Sequence, residues 1–553
     1  MNHIRPGHYL ILALATAAAL APGLASMPLA ETSEGRYASI AAAMAESGDW
    51  VVPRYNGMPH LEKPPLTYWF AAASIRLLGR TELAVRLPVL LAAIGLVLAT
   101  AWLGAALFST RTGLLAAGML LGCVQFAGIE RLLATDPFLA LASAVGLCAF
   151  WAGFRAEEDP PRRRRAFLVF QIALAAGVLA KGPLGLLWPL CALVPALAAA
   201  RRLSLLAHMR WPIGLVLIAG SLGIWLWALD QALPGAARYL LLDRATAAAR
   251  EAKGFHEGKW WYYLPVLVGG FFPWVLLLPE VVRRWTASPD ARAARWLLAA
   301  WVVAPLVLLS ISPSKLFPYV FPMFPALAIL AAWGAGEEGH GGRRVSIATA
   351  ALMLLIGVAA LVCPEKYLVK AAVPVSARTT AAIPAFLAAA IALGAAFLAR
   401  ATWRHAATAA SVVVLTAGLA WGAAGVADDL FASKRIAERL AREARPGDRI
   451  VFFQCNPSGI PFYTGLRGIL LEYVKLKAPA GLADNEDEAR YWNREDPEEL
   501  RTLLAERPRV LGVAKVRDYA RALREGMPVQ EVERTARQVL FTGVEPADAG
   551  EGR

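Results

Sequence analysis

SEGRYASIAAAMAESGDWVVPRYNGMPHLEKPPLTYW, residues 33–69, is the stretch on which the reading of this chain turns. It carries acids, arginines, a lysine and two adjacent prolines, and it follows an apolar run over about residues 8–28, near the ~20 residues a helix needs to cross a bilayer. Its first half places Tyr37, Ile40, Ala41 and Met44 on one helical face, with Glu34, Arg36 and Glu46 off it. That pattern predicts a helix lying along the membrane interface. In the second half Pro53, Gly57, Pro59 and Pro64–Pro65 break regular structure and predict a loop. Trp50, Tyr55, Tyr68 and Trp69 suit the headgroup level. Two readings stand: an amphipathic anchor with a proline-rich connector, or the charged floor of a pocket just outside the membrane.

Outward from this stretch the chain is strongly apolar. Its 553 residues are 58% hydrophobic and 18% charged, with a mean hydropathy of +0.48; soluble domains run at ~45–50% apolar and ~25% charged. A polytopic membrane protein follows. The N-terminal MNHIRPGHYLILALATAAALAPGLASMPLA has the basic start and the small residues, near Ala25 and Ala30, of a cleaved secretory signal. An uncleaved first span is preferred, because the apolar run is near 20 residues and many spans follow. Roughly thirteen spans are expected, the first four over about 8–28, 83–107, 112–129 and 136–154. Four more lie near 166–180, 183–200, 211–230 and 262–279, and five near 295–311, 317–335, 345–363, 381–399 and 407–426.

The 56 Lys and Arg exceed the 42 Asp and Glu by 14. In a soluble protein this would suggest nucleic acid; here membrane anchoring explains it, and no nucleic-acid partner is expected. EEDPPRRRR (157–165), RRLSLLAHMR (201–210), VVRRWTASPDARAAR (281–295), GGRR (341–344) and RATWR (400–404) all fall on one side, which reads as cytoplasmic. The opposite side carries nearly as many cations in the longer segments 29–82 and 231–261. Charge there calls for another cause, such as an anionic ligand. From about residue 428 the chain turns polar, and strand and helix patterns alternate, giving a small α/β domain over 428–553 on the outer face after a membrane domain over 1–427. The five cysteines show no paired spacing, so no disulfide framework or metal cluster is read from them.

Several polar groups interrupt apolar runs on the outer side. Asp136 in GIERLLATDPFLAL reads both as a helix cap and as a site residue, with Glu130 and Arg131 about a turn away. Lys181 in GVLAKGPLGLLWPL needs a partner or a route to water. Lys315 in SISPSKLFPYVFP repeats the theme, with Tyr319 a turn later. The segment 231–261 adds Arg244, Arg250, Lys253, His256 and Lys259, which on composition alone is a solvated basic loop. Together these are the groups a lipid-linked phosphate requires: cations to stabilise a phosphate leaving group as it gains charge, and a carboxylate to take or orient the acceptor's proton. No metal set is read. Glu62 and His256, from distant loops, fall short of a full ligand set, so a divalent metal stays open.

At these residues the sequence resembles the aminoarabinose (lipid A) transferase and protein O-mannosyltransferase superfamily of lipid-linked-sugar glycosyltransferases. The matching pieces, in family order, are residues 33–69, GRTELAVRLP, ERLLATDPFLAL, LAKGPLGL, KWWYYLPVLVGGFFPW and SPSKLFPYVFPMFPALAIL, within about residues 8–335. The resemblance implies an all-α polytopic GT-C fold, a polyprenyl-phosphate sugar donor, a lipid or glycan acceptor, and inverting chemistry at the periplasmic face of a bacterial inner membrane. It implies catalytic roles for Glu34 and Asp136, and substrate binding by Arg36, Tyr37, Lys63, Arg131, Lys181, Lys315, Tyr319, Lys253 and His256. There is one departure: the family has Asp-Glu before Arg-Tyr, and this chain has Ser33-Glu34. Either Glu34 or Glu31 takes the role, or no base is needed; an ionised phosphate acceptor attacks without losing a proton, whereas a hydroxyl gains from a base. The rival readings are a transferase acting on protein or glycan and a polyprenyl-lipid transporter or binding protein. A transporter predicts internal repeats and midplane charges, and neither is found.

Overall fold

The structure, a computed structural model, describes residues 4–31, 33–243, 258–287, 291–336, 341–365, 377–471, 499–505 and 509–543. Ten helices lead from the N-terminus: α1 (Pro6–Leu20), α2 (Ser33–Ser47), α3 (Leu66–Leu78), α4 (Glu82–Leu107), α5 (Thr110–Leu121), α6 (Val124–Ile129), α7 (Thr135–Arg155), α8 (Pro160–Lys181), α9 (Leu184–Ala199) and α10 (Trp211–Ala232). Their starts are set by local chemistry. Thr81 accepts from the Ala84 N–H, Ser109 from that of Thr112 and Asp159 from that of Arg162, each satisfying a donor the first turn leaves orphaned.

Among the described residues eight helices are long and apolar enough to cross a membrane, including α4, α7 and α10. A ninth span exists if Tyr263–Gly270 and Trp274–Ala287, bent by 95°, count as one. Pro6–Leu20, Leu66–Leu78 and Leu184–Ala199 are shorter apolar helices. The expected count of thirteen is thus not reproduced helix for helix: the run 112–129 breaks into α5 and α6 at Gly122–Cys123, and the run 262–279 bends. The arginine-rich loops pair with one another, Arg202 with Glu157 at 2.9 Å and Arg344 with Glu280 at 2.7 Å.

Residues 33–69 depart from expectation in two ways. Helix α2 does not lie along an exposed interface. Glu34, Gly35, Tyr37, Ala38, Ser39, Ile40, Ala41, Ala42 and Met44 are all buried, because α2 packs against α3 and against the helix Ile460–Thr464 of the C-terminal sheet domain. The connector also has structure. Strands β1 (Arg54–Tyr55) and β2 (Met58–Pro59) pair antiparallel around Asn56–Gly57, both at positive φ (52° and 86°), a turn that Asn-Gly favours. The His60 N–H extends the ladder to the Pro53 carbonyl at 2.7 Å.

The C-terminal part is a five-stranded sheet in the order β4 (Ile469–Leu471), β3 (Arg449–Phe453), β5 (Val510–Lys515), β7 (Gln538–Gly543), β6 (Val529–Arg534). The first three strands are parallel and the last two antiparallel, an addition to the expected alternation. Side chains alternate: Val451 and Phe453 join one core, and Ile450 and Phe452 join another beneath the helix Lys434–Glu443.

Candidate active site

Helix α2 carries Arg36 and Tyr37, and the segment after β2 carries His60, Glu62 and Lys63. Arg36 lies 3.8 Å from Glu62, and His60 Nε2 lies 3.6 Å from the other Glu62 oxygen. Glu62 keeps about a third of its side chain exposed (32%), so this pair meets water. Burial opposes the Arg36 charge, and Glu62 leads the neighbours that restore it, leaving its pKa raised. Lys63, half-buried, follows in the same bend.

Helix α7 brings Asp136 to the end of α8, where Lys181 Nζ donates to Asp136 Oδ1 at 2.5 Å. The ammonium also sits 4.5 Å over the Tyr319 ring. Asp136 was open to a cap reading. It stands in the first turn of α7, but Ala134 is the N-cap residue and no side chain caps the helix. Its carboxylate is spent on Lys181. Tyr37, next to Arg36, shares a buried core with Phe138 and Ala180, which neighbour Asp136 and Lys181, so the two ion pairs lie in the same region. The Tyr37 hydroxyl has its pKa raised, first by burial; Arg36 works against this, while Glu62, Asp136 and Tyr319 add to it. Tyr37 packs edge-on against Tyr68 at 5.4 Å.

Three expected site residues have polar atoms committed elsewhere. Glu34 is buried against Arg86, which donates Nε to Oε1 at 2.8 Å and Nη2 to Oε2 at 2.9 Å. It also accepts the N–H groups of Ala30 (2.8 Å) and Leu133 (3.2 Å). Arg86 spends its other donors on the carbonyls of Leu24, Met27 and Pro28. Arg131 donates to the Ala127 and Ala19 carbonyls, both at 2.6 Å. Lys315 gives its ammonium to the carbonyls of Leu309 (2.7 Å), Ser310 (2.6 Å) and Ser312 (2.5 Å). Glu31, the alternative acid, accepts from Ser458 N–H, Ser458 Oγ and Gly459 N–H. Lys253 and His256, like Arg244 and Arg250, lie outside the described residues. Among the described residues no three His, Cys, Asp or Glu gather as a metal set.

The sequence did not single out His60 or Tyr68 for the site. Tyr68 is fully buried, and its hydroxyl has no hydrogen-bond partner among the described residues. Glu130 is likewise fully buried, with both oxygens unpartnered among those residues. His60 sits in HLEKPP, two residues before the glutamate; that spacing was the available signal.

Known proteins resemble this chain in sequence and in fold. The family Dolichyl-phosphate-mannose-protein mannosyltransferase matches residues 29–240. Undecaprenyl phosphate-alpha-4-amino-4-deoxy-L-arabinose arabinosyl transferase 2 of Sodalis glossinidius is 31% identical over 358 residues, 65% of this chain and 64% of that protein. The corresponding transferase of Edwardsiella ictaluri is 32% identical over 331 residues, 59% of each chain. The chain thus spans less than two thirds of the length of these relatives. Its fold superposes on ArnT from Cupriavidus metallidurans bound to undecaprenyl phosphate with a TM-score of 0.83 at 22% identity, covering 98% of this chain and 99% of that one. The archaeal oligosaccharyltransferase AglB from Archaeoglobus fulgidus, in complex with an inhibitory peptide and a dolichol-phosphate, gives 0.53 at 12% identity over 92% and 69%. At these identities the likeness is one of fold. Over residues 29–240 this multi-pass membrane chain is thus similar to the dolichyl-phosphate-mannose-protein mannosyltransferases, and over 98% of its length it shares the fold of ArnT.

Proposed function

We propose that this chain is an inner-membrane glycosyltransferase that moves a sugar from a polyprenyl-phosphate donor to a lipid A-type acceptor at the periplasmic face, with inversion. The observation that carries this is that two ion pairs, Arg36–Glu62 and Lys181–Asp136, flank one buried core that holds Tyr37, with the Lys181 ammonium over the Tyr319 ring. In this reading residues 1–427 form the membrane domain, and 428–553 form a periplasmic domain resting on the site.

The roles follow from where charge develops. As the bond between the sugar and the phosphate oxygen breaks, the phosphate gains negative charge. Lys63, Arg36 and Lys181 stabilise it in a setting partly shielded from water. Asp136 holds Lys181 in place, and Tyr319 covers its ammonium. Attack from the opposite face inverts the anomeric carbon. Glu34 is a structural acid in this scheme, since Arg86 and two N–H groups consume it. Glu62, partly exposed, is the carboxylate placed to orient an acceptor. With serine at position 33 and Glu34 engaged, a phosphate acceptor fits best, because it attacks already ionised. The match to protein mannosyltransferases favours a second reading with a protein hydroxyl acceptor. In that case Glu62 must accept the proton.

The test uses the purified full-length chain with labelled undecaprenyl-phosphate aminoarabinose and lipid A. Transfer is expected, falling by ~100-fold or more in Asp136→Ala and Lys63→Ala. Unchanged transfer in both variants removes this site, and transfer to a serine-bearing peptide but not to lipid A selects the second reading.

A further inference from the structure

Residues 456–468 of the C-terminal domain, a loop that includes the short helix Ile460–Thr464, touch both segments that carry the Arg36–Glu62 pair. On α2, Ser39 Oγ donates to the Ser458 carbonyl at 2.8 Å. Gly35 lies so close that an added Cβ would come within 2.8 Å of the Gly459 nitrogen. On the β1–β2 hairpin, the Asn56 side chain pairs with the backbone of Gly468 in both directions. Its Nδ2 donates to the Gly468 carbonyl at 2.7 Å, and its Oδ1 accepts the Gly468 N–H at 2.9 Å. Beside it, the Tyr55 hydroxyl donates to Asn456 Oδ1. Asn56 is 5% exposed, so these bonds are sheltered from competing water.

The hairpin is a short rigid strut. Its tip, Asn56–Gly57, is fixed in the soluble domain, and its base is the His60 N–H bonded to the Pro53 carbonyl. Glu62 and Lys63 come two and three residues beyond that base. The chain entering the hairpin is held by the helices: Trp69 Nε1 donates to the Trp50 carbonyl at 2.8 Å and Trp225 Nε1 to that of Val51 at 2.9 Å. The hairpin that leads to Glu62 is therefore held between helices of the membrane domain and the C-terminal domain, and α2 is braced by the same segment.

We infer that loop 456–468 is a splint that sets the position of Glu62 and Lys63 against Arg36, and that Asn56 is a positioning residue for the reaction, acting through the hairpin without touching substrate. This rests on the glycosyl-transfer reading above. The soluble domain is in this view part of the active site, and its detachment from the hairpin would misplace a cation and a carboxylate together. Displacement of reacting groups by ~1 Å costs on the order of 100-fold in rate.

The deciding variant is Asn56→Gly. Glycine keeps the positive φ of the turn and deletes both side-chain bonds. Full-length wild type and variant are compared for kcat, for donor KM, for melting temperature and for amide hydrogen exchange at His60 and Glu62. The expected result is a kcat lower by about 10–100-fold per folded molecule and faster exchange at both amides. Asn56→Asp, which keeps the acceptor and loses the donor, is expected to recover part of both. Gly35→Ala, which pushes α2 off the loop, is expected to lower kcat in the same way. Wild-type kcat per folded molecule in Asn56→Gly, with only a lower melting temperature, overturns the inference and leaves a purely structural contact. If the wild type itself transfers no sugar, the functional reading fails, and unchanged exchange in Asn56→Gly then removes the splint as well.

Discussion

Glu34 and Glu130 are both buried acids near the membrane boundary, and their surroundings treat them oppositely. Glu34 has four donors within reach, two of them from Arg86. Removing one partner leaves an uncompensated buried charge, so Arg86→Ala is expected to destabilise the chain by about 3–5 kcal/mol, read by thermal unfolding in detergent. A loss below ~1 kcal/mol would show that the pair is dispensable. Glu130 has no such donors among the described residues. Burial, and after it the charge of Asp136, raises its carboxyl pKa well above the usual carboxylate range. The folded chain therefore holds a proton there that the unfolded chain releases near pH ~4.3. The stability this proton contributes is full below that pH. It is lost as pH rises toward the folded-state value, by about 1.4 kcal/mol per pH unit. Glu130→Gln has no proton to lose. It is expected to gain stability over wild type at pH 8 and show little difference at pH 4; equal differences at both would mean Glu130 is ionised when folded. The sequence showed both acids beside arginines. It did not show that Arg86, 52 residues from Glu34, is the partner while Arg36, two residues away, turns to Glu62.

At the scale of elements, Lys315 caps the helix Arg292–Ile311. That helix ends with carbonyls that have no intrahelical donor, and the ammonium takes three carbonyls at this end, those of Leu309, Ser310 and Ser312. Burial lowers the Lys315 pKa, and the carbonyls are what the sheltered cation binds. Lys315→Met is expected to cost about 1–3 kcal/mol of stability and to change donor KM by less than about threefold. A KM raised tenfold at unchanged stability would instead make Lys315 a phosphate ligand. The hairpin 54–59 was legible as Asn-Gly between apolar residues, yet proline density pointed to a loop. The burial of α2 was not legible: its small residues, Gly35, Ala38, Ala41 and Ala42, fit equally well against lipid or against a packed protein surface, and only a neighbour decides between these.

At the scale of the whole molecule, α7 separates the Asp136–Lys181 pair at its start from the Arg202–Glu157 pair beyond its end, and the proposed function puts these on opposite faces of the membrane. With the five native cysteines removed, Ser33→Cys is expected to react with an impermeant maleimide from the periplasmic side only, and Arg164→Cys only after the membrane is opened. Labelling of both from one side would refute the proposed orientation. Sequence alone determined that the chain spans a membrane, that polar chemistry gathers beside its first apolar run, and that a small α/β unit follows, because hydropathy and periodicity are local properties summed along the chain. Only tertiary structure decided which charges face the shared space and which are spent as staples. A carboxylate's role depends on the donors that reach it, and those come from segments tens to hundreds of residues away.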